Sequence, residues 1–96
     1  KPTTLGYDTC AFVGIYLKEA ASFEDMIAKL KTVPEVTEVH FTTGQYDMLV
    51  KIYAHDNEHL LHLIHDKLQP MGMLRTETIV SFREVFSRAL PVDYND

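Results

Sequence analysis

Hydrophobic positions change period along this chain, and the changes mark its elements. From Cys10 to Lys18 the sequence CAFVGIYLK is apolar on both alternations. Ala11, Val13, Ile15 and Leu17 form one set, and Cys10, Phe12 and Tyr16 form the other. A strand covered on both faces reads this way, so the pattern predicts a central strand. Phe23, Met26, Ile27 and Leu30 then recur at i, i+3, i+4 and i+7, the stripe of a helix with one apolar face. Ser22 is its expected N-cap, its hydroxyl accepting from the amide near Asp25 while the Asp25 carboxylate reaches back. Pro34 marks the end of this helix.

Glu35 to Thr43 and Tyr46 to Ala54 alternate with period two around Gly44-Gln45, which suits a two-residue type II′ hairpin. That register pairs Thr43 with Tyr46, Phe41 with Met48, Val39 with Val50 and Glu38 with Lys51. One face then carries Phe41, Met48, Val39, Val50 and Ile52. The other carries Val36, Tyr53, Leu49 and His40 beside a Glu38–Lys51 cross-strand ion pair. Asp56 is a fitting N-cap for a second helix, with Leu60, Leu63, Ile64 and Leu68 turned inward and Pro70 after it. Gly72 releases the chain into a last strand, expected over Met73 to Val85. From Leu90 onward the tail is expected to be loosely held.

The order is βαββαβ, an α+β ferredoxin-like sandwich with an antiparallel sheet. Two helices of this length cover one sheet face. The other face is expected to hold Phe12 or Val13, Leu49 and Tyr53. Apolar area left in water costs about 25 cal/mol per Å². A homodimer formed through the open sheet faces follows from that cost.

Composition narrows the possibilities. Ninety-six residues, 46% hydrophobic and 24% charged, make one soluble domain. No apolar run approaches the roughly 20 residues that cross a bilayer, and no signal-peptide pattern opens the chain. Cys10 is the lone cysteine. Inside an apolar run it reads as a small buried hydrophobe in a reducing compartment, so a cytoplasmic location is expected. The net charge of −5, with no basic cluster, argues against direct nucleic-acid binding. Starting at Lys1, the chain is expected to be part of a longer protein. No nucleophile elbow, phosphate loop or paired-carboxylate site is present in the sequence, so no catalytic role and no cofactor are expected. His55, His59 and His62 fall on one side of the second helix, with His65 at its border. Such spacing can ligate a metal, but without accompanying cysteines or an HExxH pattern a solvated helix face is the better reading.

Three segments resemble the C-terminal regulatory domain of the Lrp/AsnC family of transcription regulators. They are LGYDTCAFVGIYL (Leu5 to Leu17), TVPEVTEVHFTTGQYDMLVKI (Thr32 to Ile52) with a Gly-x-x-Asp hairpin at Gly44 and Asp47, and TETIV (Thr76 to Val80). In order and at these separations they are specific, and they are most similar to the asparagine-regulator branch. The resemblance implies a linker at 1–9, an amino-acid-sensing and oligomerisation domain at 10–88 and a tail at 89–96. It implies dimers that often assemble four at a time into an octamer, with a free amino acid bound between dimers. DNA contact would come only through a helix-turn-helix domain that residues 1–96 are not expected to contain.

The implied site lies at the Gly-x-x-Asp hairpin and the start of the last strand. A free amino acid needs acceptors for its ammonium and donors for its carboxylate. Gly44 would let backbone amides approach the carboxylate, and Asp47 would receive the ammonium. Thr43, Gln45 and Tyr46 add polar groups, with Thr76, Glu77 and Thr78 as the opposing wall. Read from the residues alone, Gly44 is equally a plain turn residue and Asp47 a solvated strand charge. Thr76 and Thr78 are equally β-formers on an exposed strand, and Glu77 points opposite to them. The rival readings are an ACT-type amino-acid sensor, a small dimeric α/β-barrel enzyme and, last, a metal sensor built on the helix histidines.

Overall fold

The doubly apolar first strand lies inside the sheet, as its pattern requires. In a computed structural model that describes residues 6–19 and 22–91, β1 (Thr9–Tyr16) is flanked by β3 (Met48–Ala54) and β4 (Arg75–Ser81). β2 (Val36–Phe41) forms the far edge, giving the order β2-β3-β1-β4 with every pair antiparallel. The helices are α1 (Phe23–Leu30) and α2 (Asn57–His62). The latter continues through a π-type turn, Leu63–Leu68, and a 3-10 turn, Gln69–Met71. This is the expected ferredoxin-like βαββαβ sandwich. Expectations for Leu5 and for the tail beyond Pro91 lie outside the described residues.

The core sits between the sheet and the helices. Ala11, Val13 and Ile15 of β1 and Met48, Val50, Ile52 and Ala54 of β3 are fully buried on this side. Met26 and Leu30 of α1, then Leu60, Leu63 and Leu68, close over them, while Phe23 and Ile27 pack at the margin. Each fully buried aliphatic side chain contributes about 1.5–3 kcal/mol relative to its exposed state. Asp56 caps α2 as its sequence predicts, its carboxylate accepting the His59 amide at 2.8 Å.

Several expectations are corrected. Ser22 does not cap α1 through its side chain. Its hydroxyl donates to the Glu19 carbonyl at 2.6 Å, because a serine can satisfy itself within its own turn. Asp25 instead pairs with Lys29 at 3.2 Å. The hairpin keeps its register from Glu38–Lys51 to Phe41–Met48, but the ladder stops there and Thr43 does not pair with Tyr46. A bulge at Thr37 pairs Val36 with Ile52, which turns Val36 to the core rather than to the open face.

β4 ends at Ser81 rather than Val85. Its last partner is Cys10, one residue from the start of β1, so the chain beyond has nothing left to pair with. Cys10 itself is half-buried on the helix-free face, not in the core. Burial pushes its thiol above the ordinary range, partly offset by Lys51.

The helix-free face is also less greasy than its hydropathy suggests. Residues paired across antiparallel strands share a face, so this side carries rows running across the sheet. They are Ser81–Cys10–Tyr53, Ile79–Phe12–Lys51–Glu38, Glu77–Gly14–Leu49–His40 and Arg75–Tyr16. Val13 faces the helices; Phe12 faces out. The Lys51 ammonium lies 5.9 Å from the Phe12 ring centre and 5.3 Å from that of Tyr53.

A mutation pair checks where the core lies. Leu68→Ala removes a fully buried side chain and is expected to cost about 2–5 kcal/mol in urea unfolding. Leu61 of α2, 60% exposed, is expected to change stability by less than about 0.5 kcal/mol when replaced by Ala.

Candidate functional site

Between β2 and β3 the hairpin opens into residues 42–47. Gly44 sits at φ 95°, a conformation that side chains resist, and a Cβ there would meet open space. The backbone angle is what requires glycine. Thr43, Gly44 and Gln45 are exposed, and among the described residues none of their amides makes a backbone hydrogen bond outside helices and strands. The Thr42 hydroxyl donates to the Tyr46 carbonyl at 3.0 Å and braces the base of the loop.

Asp47 has more than a solvated strand position. Its amide donates to the Ile15 carbonyl at 3.0 Å, and its Oδ2 accepts the Leu17 amide at 2.8 Å. The carboxylate thereby closes the end of β1. Two oxygens offer about four acceptor positions, so this bond leaves the charge and further capacity available.

Tyr46 leaves the loop and lies flat over Gly14. Any Cβ at Gly14 would overlap the Tyr46 ring, which explains a glycine in the middle of a central strand. The Tyr46 hydroxyl donates to Glu77 Oε1 at 3.1 Å. Glu77 Oε2 accepts from the Tyr16 hydroxyl at 3.3 Å and from the Arg75 guanidinium at 2.9 Å. Arg75 lies 4.3 Å from the Tyr16 ring centre, and Tyr16 meets Tyr46 edge-on at 5.6 Å between centres. The bond to Glu77 raises the Tyr46 phenol pKa, because ionising it would set two negative charges together.

The expected site residues therefore divide. Thr43, Gly44 and Gln45 form the exposed tip, with Tyr46 and Asp47 anchoring it. Glu77 joins Tyr46 on the helix-free face. Thr76 and Thr78 pair with Ile15 and Val13 and face the helix side, so the thickness of the sheet separates them from Glu77. Gly14, Tyr16 and Arg75 were not anticipated. A glycine inside a doubly apolar strand was the available signal, since it marks a place where another group comes close.

The histidines are engaged locally. The His55 Nδ1–H donates to the Gly6 carbonyl at 2.7 Å, and the His55 amide donates to His59 Nδ1 at 2.9 Å. Tyr7 stacks on His55 at 4.2 Å and His55 on His59 at 4.9 Å between ring centres. His59 Nε2 lies 3.5 Å from Glu35, and His62 pairs with Asp66 at 2.6 Å. His55 and His59 thus tie the start of α2 to its neighbours instead of forming a merely solvated face. Among the described residues no group of three or more His, Cys, Asp or Glu side chains could hold a metal.

Comparison with known proteins gives this geometry its context. The profile of the Lrp/AsnC ligand binding domain matches residues 10–91. The chain belongs to the Lrp/AsnC family. The regulatory protein AsnC of Escherichia coli K12 is 34% identical over 90 residues, which is 93% of this chain and 59% of that protein. AsnC of Haemophilus influenzae is 38% identical over 85 residues, covering 88% of this chain and 57% of that protein. This Lrp/AsnC chain therefore spans under two thirds of the length of these relatives. The E. coli AsnC structure superposes with a TM-score of 0.89 at 34% identity, over 94% of this chain and 61% of that one. A Neisseria meningitidis transcriptional regulator, solved with L-methionine, superposes at 0.86 over 97% of this chain and 62% of that one. Its identity of 23% shows a common fold.

Within this Lrp/AsnC domain the Tyr46–Glu77 bond can be read directly. Glu77→Gln removes the negative charge and is expected to bring the Tyr46 phenol back toward the ordinary value near ~10, seen by ultraviolet titration. The bond's contribution to stability is full below that ordinary value and drains as pH rises through the raised one. Gly14→Ala is expected to expel the Tyr46 ring and cost about 1–3 kcal/mol.

Proposed function

We propose that this domain binds a free amino acid at the tip of the β2–β3 hairpin and reports it through self-association, as the sensing part of a cytoplasmic transcription regulator. The supporting observation is the tip itself. Exposed amides and hydroxyls of Thr43, Gly44 and Gln45 stand beside the Asp47 carboxylate, and both are fixed to β1 and β4 through Leu17, Gly14 and Glu77. The tip offers donors for a carboxylate, and Asp47 offers a negative charge for an ammonium. Glu77 serves from below, by holding Tyr46. Thr76 and Thr78 lie on the opposite side of their own sheet, so as a wall they serve the tip of a neighbouring copy. On this reading the effector lies where dimers meet, as dimers gathered into an octamer would allow. The sensing unit is taken as residues 10–88, with 1–9 leading in and 89–96 trailing.

The relatives favour this reading. AsnC is named a regulatory protein, and the N. meningitidis regulator is described in complex with L-methionine. The rival enzyme reading needs a closed substrate cavity between sheet and helices; the centre of that space is packed by Leu30, Ile52, Leu63 and Leu68, and the hollow of about 370 Å³ between α1 and β2 is open to solvent. Among the described residues no helix is long and apolar enough to cross a membrane.

Thermal-shift measurements with each of the twenty amino acids test the proposal. The cognate one at ~100 times its dissociation constant adds about 2.7 kcal/mol to stability by mass action. Asp47→Asn keeps an oxygen for the Leu17 amide and removes the charge. It is expected to fold and to lose the response. A folded Asp47→Asn variant that responds as the parent does, or no response to any amino acid, rejects the site.

A further inference from the structure

Where the chain enters the domain, hydrogen-bond geometry fixes which ring nitrogens of two histidines carry protons. The Gly6 carbonyl lies 2.7 Å from His55 Nδ1, and a carbonyl can only accept, so His55 carries a proton on Nδ1. The His55 amide lies 2.9 Å from His59 Nδ1, and an amide can only donate, so His59 Nδ1 is bare. The proton of neutral His59 is then on Nε2, which lies 3.5 Å from Glu35 Oε2. These two side chains are half-buried, 21% and 20% exposed. Tyr7 stacks on His55 and His55 on His59, so Gly6, Tyr7 and His55 form a pile resting on the first turn of α2. Two residues further on, β1 begins at Thr9, so this pile sets the direction in which the chain enters the sheet.

The two histidines answer an added proton differently. On His55 it goes to Nε2 and leaves the bond to Gly6 in place. On His59 it goes to Nδ1, where it meets the N–H of His55. The acceptor becomes a donor, and the amide loses its partner. If both rings are charged, two like charges also lie face to face. The groups around His59 decide which way it turns. Glu35, ahead of β2, attracts the cation. Asp56, ahead of α2, accepts the His59 amide at 2.8 Å and keeps its backbone in place. Glu58 adjoins it on α2, and His62, three residues on, is held by Asp66 at 2.6 Å. Tyr7, from the entry segment, brings an uncharged phenol. The carboxylates favour a charged ring, whereas the bond from the His55 amide requires a neutral one.

We propose that His59 is a proton-operated latch for the entry segment. Neutral, it accepts from the His55 amide and holds the Gly6–Tyr7–His55 pile on α2. Protonated, it turns to Glu35 and lets the pile come away. Histidine is the side chain that ordinarily changes charge between pH 5 and 8. Latching and protonation of His59 exclude one another, so linkage sets the sign. The latch is closed at high pH and opens as pH falls, its closed-to-open ratio dropping by up to about 10-fold per pH unit. It shares no residue with the hairpin tip, and it stands or falls apart from the amino-acid reading.

Nuclear magnetic resonance on the full chain between pH 8 and pH 5 tests the latch. At pH 8 the ring nitrogens are expected to show the Nε2–H form of His59 and the Nδ1–H form of His55. As His59 takes its second proton, the His55 amide is expected to lose at least about 10-fold of its exchange protection, corrected for the intrinsic rate. Contacts between the His55 and His59 rings are expected to vanish together with it. The His59 amide, held by Asp56, is expected to stay protected. His59→Asn keeps an acceptor near the place of Nδ1 and cannot titrate, so its His55 amide is expected to stay protected at pH 5. A Nδ1–H form of His59 at pH 8 overturns the latch, as does a His59 that stays neutral down to pH 5. A His55 amide equally protected while His59 titrates overturns it too. Equal loss at the His55 and His59 amides is fraying of α2 and rejects the proposal, and acid opening of His59→Asn assigns the effect to another group and does the same. If that variant does not fold, the ring-nitrogen and exchange data of the parent chain decide.

Discussion

One sheet, two helices and a single covered face set the terms for everything else in this domain. β1 and β3 carry a fully buried row toward α1 and α2 and a second, half-buried row toward solvent. No further helix exists among the described residues to cover that second row. Burial on the helix side stabilises the monomer fold, and what is left wet on the other side favours association. On the proposed reading, folding and assembly draw on opposite faces of the same strands.

That division also bears on how a signal could travel. The hairpin tip and the helix-free face are joined by three specific contacts: Asp47 on the Leu17 amide, Tyr46 over Gly14, and Tyr46 on Glu77. A change at Gly44 or Asp47 has short, stiff routes to β1 and β4. Tyr46 belongs to the loop by sequence and to the helix-free surface by position. Coupling between ligand and assembly would pass through it.

Much of this was legible in the residues. The double alternation of CAFVGIYLK placed β1 centrally, and period-two patterning around Gly44 fixed the Phe41–Met48 and Val39–Val50 pairs. The bulge at Thr37 was not legible, because one added residue in VTEVHF leaves a sequence that still reads as strand. The parity of β4 correctly set Glu77 against Thr76 and Thr78. Only the pairing of Gly14 with Glu77 shows which of them meets Tyr46, and that pairing is a long-range fact. The open face looked more apolar than it is, since β4 contributes Arg75 and Glu77 to it. The end of β4 depended on where β1 begins, which local propensity does not encode.

The account stands on the helix-free face being covered in solution. Methyl signals measured with a soluble paramagnetic agent test this on single side chains. In a concentrated sample the Ile79 methyls are predicted to be shielded nearly as well as those of Val50 in the core. If they broaden as much as the methyls of solvent-facing Leu61, that face is open to water and the account is contradicted.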